Sequence, residues 1–362
     1  MSKLDQLKAA KRTIIDRHVR PDNRKAFFQV FNTLLPIALL WWAIAQSAVV
    51  SYWLTAALVL LMGLLLLRVF VLMHECGHGS LFRTQRLNRT FGFLFGVISG
   101  MPQFVWSERH QYHHSTNGNW EKYRGPLCIV SVDDFAAMTP QQQRKYARQR
   151  SIWMAPLAGF IYVVFNPRIN WLRGSIALLM HTARGKPPSS FKTNLWATPQ
   201  EYWHMFWNNV VLIAVACLMS WWIGTALFLV SAVASMSLAG AGGILLFTVQ
   251  HNFEHAYASG DEGWDYYEAA LDGTSFLELP GWLNWLTANI AYHHIHHMSA
   301  RIPNYCLIDC HREFAELFTD VKRIRLAQIP ASLKFILWDT RSRCICSVAE
   351  YRRGLAIAAA MS

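Results

Sequence analysis

Two long stretches without a charged side chain constrain this chain more than any other feature of its sequence. Asp, Glu, Lys and Arg are absent between Phe27 and Leu67 and again between Phe206 and Gln250. A single α-helix crosses a bilayer with about 20 apolar residues, and each stretch is about twice that length. Weak polar breaks near residues 46–52 and 221–224 divide them. We therefore predict two helical hairpins, with transmembrane helices at about residues 29–49, 52–73, 205–222 and 225–250.

The basic residues predict which side of the membrane holds the rest of the chain. The formal net charge is +12, although only 15% of the residues are charged. Eight Lys or Arg precede the first hairpin, fifteen lie between the hairpins, ten follow the second, and the external loops have none. Because Lys and Arg accumulate in cytoplasmic segments, both termini and the central region are predicted to be cytoplasmic. A basic chain this apolar is expected to bind a lipid bilayer and no nucleic acid.

These boundaries organise the chain as one domain over residues 1–362. It comprises a basic N-terminal segment (1–26), hairpin 1 (27–73), a cytoplasmic region (74–205), hairpin 2 (206–250) and a cytoplasmic C-terminal region (251–362). In the central region, residues 91–104 and 152–165 are apolar but short and broken by Gly or Pro, which favours interfacial or re-entrant segments. Residues 141–150 are typical of a solvated helix. Seven cysteines without a Cys-x-x-Cys pair indicate no disulfide framework or zinc ribbon.

Two further expectations concern the spans themselves. Arg68 lies near the inner end of the second span, where a long basic side chain is expected to reach the lipid headgroups. Gly240, Gly242 and Gly243 in the fourth span are expected to permit close helix packing.

Ten of the fifteen histidines fall in four short clusters on the predicted cytoplasmic side. The spacings are i, i+4 or i, i+3, i+4, which place the side chains on one face of a helix. Imidazole suits iron, copper, zinc or nickel. Ten imidazoles are too many for one metal ion and fit two. The predicted metal ligands are His74, His78, His110, His113, His114, His251, His255, His293, His296 and His297.

Other interpretations of the histidines remain to be weighed. His74-Glu75-x-x-His78 matches the zinc-protease motif, in which the glutamate is the general base, but one zinc leaves eight histidines without a role. A membrane haem carrier would hold its histidines within the bilayer, and a metal transporter would need polar residues inside the spans. His18, in the polar N-terminal segment, is expected to be solvated at the surface. The other four histidines outside the clusters are expected to be structural or solvated, with His294 also able to support a ligand: His181, His204, His294 and His311.

The three-box pattern resembles the integral-membrane fatty acid desaturases, over about residues 27–310. The boxes are H-x3-H at 74–78 and H-x2-H-H at 110–114 and 293–297, placed around two hairpins. Finer details resemble the bacterial acyl-lipid omega-6 (Δ12-like) branch. These are His74-Glu-Cys-Gly-His-Gly-Ser-Leu-Phe82, His113-His-Ser-Thr-Asn-Gly-Asn119, Gln250-His-Asn-Phe-Glu-His255, and Tyr292-His-His-Ile-His-His297 with Arg301-Ile-Pro-Asn-Tyr305.

By this resemblance the fold is an all-α integral membrane protein with four transmembrane helices and a cytoplasmic histidine-rich cap. The cofactors are two iron ions, with O2 as co-substrate. An additional histidine before the last box binds iron in the family, and His255 matches it. The position four residues earlier can be an asparagine that holds a water in related acyl-CoA enzymes, so direct ligation by His251 stays open. An unactivated methylene offers no acidic proton, which is why such a metal centre is needed.

The resemblance also implies the reaction and the partners. The expected reaction is desaturation of a lipid-linked acyl chain at the Δ12 or omega-6 position, and a hydroxylase on the same fold is the alternative. Two electrons would come from an external ferredoxin or cytochrome-type donor docked on the basic cytoplasmic face. The expected location is the bacterial inner membrane. Four acidic residues near the boxes are candidates either to orient the imidazoles or to be ordinary surface charges: Glu75, Glu108, Glu254 and Asp309.

Overall fold

Helices make up most of the chain in the computed structural model, which describes residues 3–125 and 128–361. The α-helices are α1 Lys3–His18, α2 Asn23–Ser47, α3 Tyr52–Gly77, α4 Gln85–Ser99, α5 Gln103–Thr116, α6 Val132–Ala136, α7 Pro140–Gln149, α8 Ala155–Phe160, α9 Asn166–Ala183, α10 Pro199–Ile223, α11 Thr225–His251, α12 Tyr266–Leu271, α13 Gly281–Leu286, α14 His293–Met298, α15 Leu307–Glu313, α16 Ile329–Ser332 and α17 Val348–Met361. The strands are β1 Val130–Ser131, β2 Phe276–Glu278, β3 Arg323–Arg325, β4 Phe335–Asp339 and β5 Cys344–Ser347.

Five helical stretches within the described residues are long and apolar enough to cross a membrane. Four of them, α2, α3, α10 and α11, match the predicted spans to within a few residues. The fifth covers Ile152–Ala183, where a π-helical segment at Ile161–Phe165 joins α8 to α9. Length and composition therefore allow five spans where the sequence predicted four.

Short turns that cap the helices close both hairpins. Ser51 begins α3, and its hydroxyl accepts a hydrogen bond from the backbone N–H of Leu54 at 3.4 Å. Such a side chain satisfies one of the free N–H groups at a helix start. Gly224 joins α10 to α11 with a φ of +88°, a conformation that residues with a Cβ rarely adopt. Each turn lies where a polar break interrupts the apolar stretch.

Small residues on α11 let other helices approach closely. A Cβ built on Gly240 would lie 2.8 Å from the backbone of Gly159 in α8, and one built on Gly242 would lie 2.9 Å from the side chain of Leu67 in α3. The expectation of close packing is confirmed for these two glycines. At Gly243 the nearest atom, on Phe70, would be 3.8 Å away, which is an ordinary contact.

The stretch from α8 to α9 packs first along α11 and then, after reversing direction, along α10. Ala155 shares a small cleft with Ile244 and Thr248 near the C-terminal end of α11, whereas Gly159 contacts Gly240, farther from that end. Contacts of this stretch thus move along α11 away from His251.

Helix α9 then packs against α10 and runs antiparallel to it. Arg168 donates to Oδ1 of Asn208 at 2.9 Å, the indole N–H of Trp171 donates to the carbonyl of Tyr202 at 3.1 Å, and Gly174 packs on Trp196, ahead of α10. The partner residue numbers fall as α9 proceeds, so α9 leads back toward the N-terminal end of α10.

Arg68 is buried, so the expectation that it reaches the headgroups is wrong. Its side chain is 1% exposed, its Nε donates to Oγ1 of Thr33 at 2.8 Å, and its guanidinium lies 4.2 Å from the ring centre of Trp285 and donates to the Trp285 carbonyl. The short helix α13 packs on α3 and covers this position. Arg68 therefore joins α2, α3 and the C-terminal region.

The polar N-terminal and central segments are helical as well. Helix α7 is mostly exposed, which confirms the solvated helix predicted at 141–150. Helix α1 instead buries Leu7 and Ile14. His18 at its end is buried, with Nε2 at 2.9 Å from Oε2 of Glu313, because α1 folds against α15. The expectation that His18 is solvated is therefore wrong.

Two small sheets lie in regions where the sequence predicted only helices and loops. Strand β4 pairs parallel with β1 and antiparallel with β5, and β2 pairs parallel with β3. Phe276 in β2 also bridges Tyr292, directly before α14. The fold is therefore mostly helical, with short strands that fix the segment leading into the last histidine box.

We predict that Gly159→Ala lowers the midpoint of thermal unfolding in detergent. The added methyl would lie 2.4 Å from backbone atoms of Gly240, which cannot rotate away. Overpacking of this kind costs about 1–3 kcal/mol. Gly243→Ala is the matched control, since its new methyl makes only ordinary contacts. Equal midpoints for the two variants, measured by loss of detergent-soluble folded protein on heating, would contradict the close approach of α8 and α11.

Candidate metal centre

Four helices, α3, α5, α11 and α14, bring nine of the ten predicted histidines into two adjacent groups. Within each group, one nitrogen from every imidazole lies within 4.8 Å of those from the others. Eight of the nine are buried, and His78 is half-buried. The first group is His74, His78, His110, His114 and His296, and the second is His113, His251, His293 and His297.

The spacing of each H-x2-H-H box explains how its histidines divide between the groups. At 3.6 residues per turn, positions i and i+4 differ by about 40° around the helix, whereas i+3 points about 60° the other way. In α5, His110 and His114 therefore enter the first group and His113 the second. In α14 the pair His293 and His297 enters the second group and the intermediate histidine the first. Each helix thus serves both groups.

The distances between ring nitrogens suit a shared cation. A metal–nitrogen bond of about 2.1 Å places two ligands at right angles about 3 Å apart. Pairs of Nε2 atoms in both groups have this separation. The distances are 2.9 Å for His110–His114, 3.0 Å for His114–His296, 2.9 Å for His251–His293 and 3.2 Å for His113–His297.

The imidazoles of this centre are neutral, because burial disfavours the protonated form. Burial lowers the pKa of His78 to about 3. It also lowers the pKa of six others well below the usual value, namely His110, His113, His114, His293, His296 and His297. Each neutral ring keeps a lone pair for a metal. The buried Nε2 of His78 has no hydrogen-bond partner, which a bound cation would supply.

Glu75 orients the first histidine, as expected. It is fully buried, and its Oε1 lies 3.2 Å from Nδ1 of His74. Its Oε2 accepts hydrogen bonds from the hydroxyl of Ser80 and the backbone N–H of Asn304, both at 3.0 Å. A carboxylate held this way fixes the tautomer of His74, so that Nε2 carries the free lone pair. Glu75 is thus engaged with neighbouring groups, which argues against its use as the general base of a zinc protease.

The other three acidic candidates lie at the surface. Glu108 and Asp309 are exposed, and Glu254 is paired with Lys322 at 3.4 Å. The second group instead uses a backbone group, since Nδ1 of His251 lies 3.2 Å from the carbonyl oxygen of Gly273. The sequence gives no signal for this carbonyl, because it depends on a loop that follows α12.

The structure brings His251 into the second group but not His255. The prediction that these two histidines share a helical face is wrong, because α11 ends at His251 and Asn252 leaves the helix. His255 is exposed, has a φ of +60°, and has its Nδ1 at 3.9 Å from the sulfur of Cys344. The second group therefore has four histidines where the first has five.

His294 points away from both groups. It is fully buried, and its Nε2 lies 3.1 Å from Nδ1 of His311, with the rings of Phe276 and Phe318 against the pair. This placement supports the structural role expected for both histidines.

A largely apolar cavity of about 820 Å³ borders both groups. His74 and His110 of the first group and His113 and His293 of the second line it. Its walls come from α3, α5, α11 and the stretch around α8. The apolar lining residues include Leu66, Leu67, Phe70, Val105, Trp106, Met236, Ile244, Leu246 and Phe247.

A membrane enzyme that handles a long apolar substrate fits this combination of long apolar helices, neutral histidine groups and a cavity. The family model for fatty acid desaturases matches residues 51–326. A fatty acid desaturase of Bacillus subtilis is 33% identical over 321 residues, covering 88% of this chain and 85% of the relative. This chain belongs to the fatty acid desaturase family.

Two more distant relatives have more specific names. The sn-1 oleoyl-lipid 12-desaturase of Anabaena variabilis is 22% identical and covers 83% of this chain and 79% of its own. The protein of that name from Picosynechococcus sp. is 24% identical and covers 76% of this chain and 73% of its own. Membership in this family agrees with two observations on the structure, namely the histidine groups that could hold metal ions and the long apolar helices.

We predict that His251→Ala and His255→Ala have different effects on metal content. His251 contributes to the second group and His255 to neither, so His251→Ala should lower bound metal by about one ion per chain, whereas His255→Ala should leave it unchanged. Elemental analysis of both variants, purified in mild detergent, tests this. The reverse order would restore His255 as a ligand.

Proposed function

We propose that this enzyme introduces a double bond into the acyl chain of a membrane lipid, using two irons held by the two histidine groups. The observation that carries the proposal is that one apolar cavity borders both groups. A methylene in that cavity has no polar handle, and the cavity holds it beside two sites suited to metals that activate O2.

Nine histidines would hold the irons, five in the first group and four in the second. Bound there, the two irons would supply the oxidant, generated from O2, two electrons and two protons, that removes two hydrogens from the acyl chain, with both oxygen atoms leaving as water. The chain's own residues have other tasks. Glu75 and the Gly273 carbonyl orient His74 and His251. The apolar walls position the substrate and exclude water from the reacting carbons.

The proposed substrate is an oleoyl group on an intact lipid, desaturated at the Δ12 or omega-6 position. Two relatives named sn-1 oleoyl-lipid 12-desaturase support this regiochemistry. The cavity is suited to an acyl chain, because its lining is mostly apolar and it continues along the membrane-spanning helices.

For the topology, we propose four spans with both termini and the histidine groups on the cytoplasmic side of a bacterial inner membrane, in one domain. The stretch from α8 to α9 would enter the membrane and return without crossing. The order of its contacts supports this, because α8 contacts α11 at positions successively farther from His251 and α9 then contacts α10 at positions successively nearer its N-terminal end. The positions of Lys and Arg support the orientation.

Electrons would come from a separate ferredoxin or cytochrome-type protein. The net charge of +12 favours an acidic partner, and steering between opposite charges raises association rates.

Lipid analysis of a strain expressing the wild-type enzyme tests the reaction. We expect acyl chains two hydrogens lighter than in a strain with the empty vector, with the new double bond at Δ12 of C18 chains. Products that gain an oxygen atom would instead identify a hydroxylase on the same fold.

His113→Ala and His296→Ala remove one histidine from each group and should abolish the new double bond while leaving membrane insertion intact. His181→Ala is the matched control, because His181 lies at the surface beside Ser190. Wild-type product levels in either box variant would contradict the ligand assignment.

Turnover with the protein donor should fall as ionic strength rises, because salt screens the charges that steer docking. The control replaces the protein donor with a small chemical reductant, for which we expect little salt dependence. Equal salt dependence with both reductants would contradict electrostatic docking on this enzyme.

A further inference from the structure

The cavity extends from the histidines toward the middle of the membrane. On α11 its lining residues run from Gln250, next to His251, back to Met236. At a rise of 1.5 Å per residue, these fourteen steps cover about 21 Å. On α3 the lining runs from His74 to Leu66, or about 12 Å by the same rise. A chain lying in the cavity can therefore continue well beyond the metal centre.

Helices α3 and α11 are in direct contact at the depth of this inner end. A Cβ built on Gly63 would lie 2.8 Å from Cβ of Leu238, and the hydroxyl of Ser235 donates to the carbonyl of Val59 at 3.3 Å. Gly63 is one turn before Leu67 in α3. The lining of the cavity stops at Leu66 on α3 and at Met236 on α11, so its inner end, called the blind end below, lies at this depth.

Met236 forms part of the wall at the blind end. A Cβ built on Gly100, in the turn between α4 and α5, would lie 3.1 Å from its sulfur and 3.0 Å from Cγ2 of Val164. Ser99 and Met101, on either side of Gly100, line the cavity too. The methionine side chain thus lies between α11 and this turn.

Arg168 fixes the backbone around Met236. One of its guanidinium nitrogens donates to the carbonyls of Gly100 at 2.8 Å and Val164 at 2.9 Å, and the other donates to Asn208. The backbone of the turn is therefore tied to α9 and α10. The side chain of Met236, which is unbranched and has three rotatable bonds, is the adaptable part of the wall.

The other end of the cavity is polar. Glu108, Arg109, Tyr112 and Asn194 line it and are exposed. A lipid headgroup cannot enter the apolar inner part without losing its hydration. The chain must therefore enter with its methyl end first, pass the histidines, and stop at the blind end.

We infer that Met236 is the stop for the methyl end of the acyl chain, so that the enzyme sets the position of the double bond by counting from the methyl end. The inference rests on the proposed function. The fixed length between Met236 and the histidines determines which carbons lie at the metal centre. Chains that differ in length would differ only in how far their carboxyl end extends toward the polar mouth.

The test compares products formed by the wild-type enzyme and two variants in a host supplied with C16, C17 and C18 chains. Mass spectrometry of derivatised lipids gives the position of each double bond. For the wild-type enzyme we expect one constant number of carbons between the double bond and the methyl end. Counting that stays constant from the carboxyl end would overturn the inference, even if both variants fail to fold.

Met236→Ala deepens the blind end by removing the three non-hydrogen atoms beyond Cβ. The chain should then slide inward, and the double bond should move toward the carboxyl end by about one to three carbons. Met236→Phe should shift it toward the methyl end. Val233→Ala is the matched control on the same helix, because Val233 is exposed on the outer face of α11. We expect no shift in this control.

Unchanged positions in both Met236 variants would overturn the stop. An inactive wild-type enzyme would contradict the proposed function itself and the inference with it, whereas an active enzyme that counts from the carboxyl end would contradict the inference alone.

Discussion

Nine neutral imidazoles that face one another in a buried space are the constraint on which the rest of the structure depends. Their nitrogens approach to about 3 Å in pairs, and the Nε2 of His78 has no partner in the protein. A buried polar atom left without a partner costs about 1–3 kcal/mol. Two cations would satisfy the lone pairs and hold together α3, α5, α11 and α14, which come from distant parts of the sequence. The position of the histidines also determines where the cavity begins, because four of them line it and the cavity then continues along α3 and α11.

The features that could be predicted from the sequence are those that depend on local patterns. The absence of charge over Phe27–Leu67 and Phe206–Gln250 placed four long helices within a few residues of α2, α3, α10 and α11. Helical periodicity predicted that the three histidines of each H-x2-H-H box share one face. The i and i+4 histidines, His110 with His114 and His293 with His297, do share a group, but the i+3 histidine of each box enters the other group. Counting the histidines also predicted more than one metal-binding group, because one ion cannot use so many, and the structure has two groups that could each hold an ion.

The features that could not be predicted depend on contacts between distant segments. Arg68 is buried because Trp285, far away in the sequence, covers it. His255 is displaced because α11 ends at His251 and the following residues pair with β5, where the backbone N–H of His255 donates to the Ile345 carbonyl. The blind end of the cavity depends on the packing of Met236 in α11 against the turn at Gly100. Neither hydropathy nor the spacing of residues encodes such contacts.

We propose that two irons occupy two distinct groups of histidines. Anomalous diffraction from crystals of the purified enzyme, recorded just above and just below the iron absorption edge, tests it most directly. We expect two peaks per chain that disappear below the edge, one in each group. The first group is His74, His78, His110, His114 and His296, and the second is His113, His251, His293 and His297. A single peak would contradict this proposal. A peak that persists below the iron edge would also contradict it, because it would come from another metal, such as zinc bound by His74 and His78.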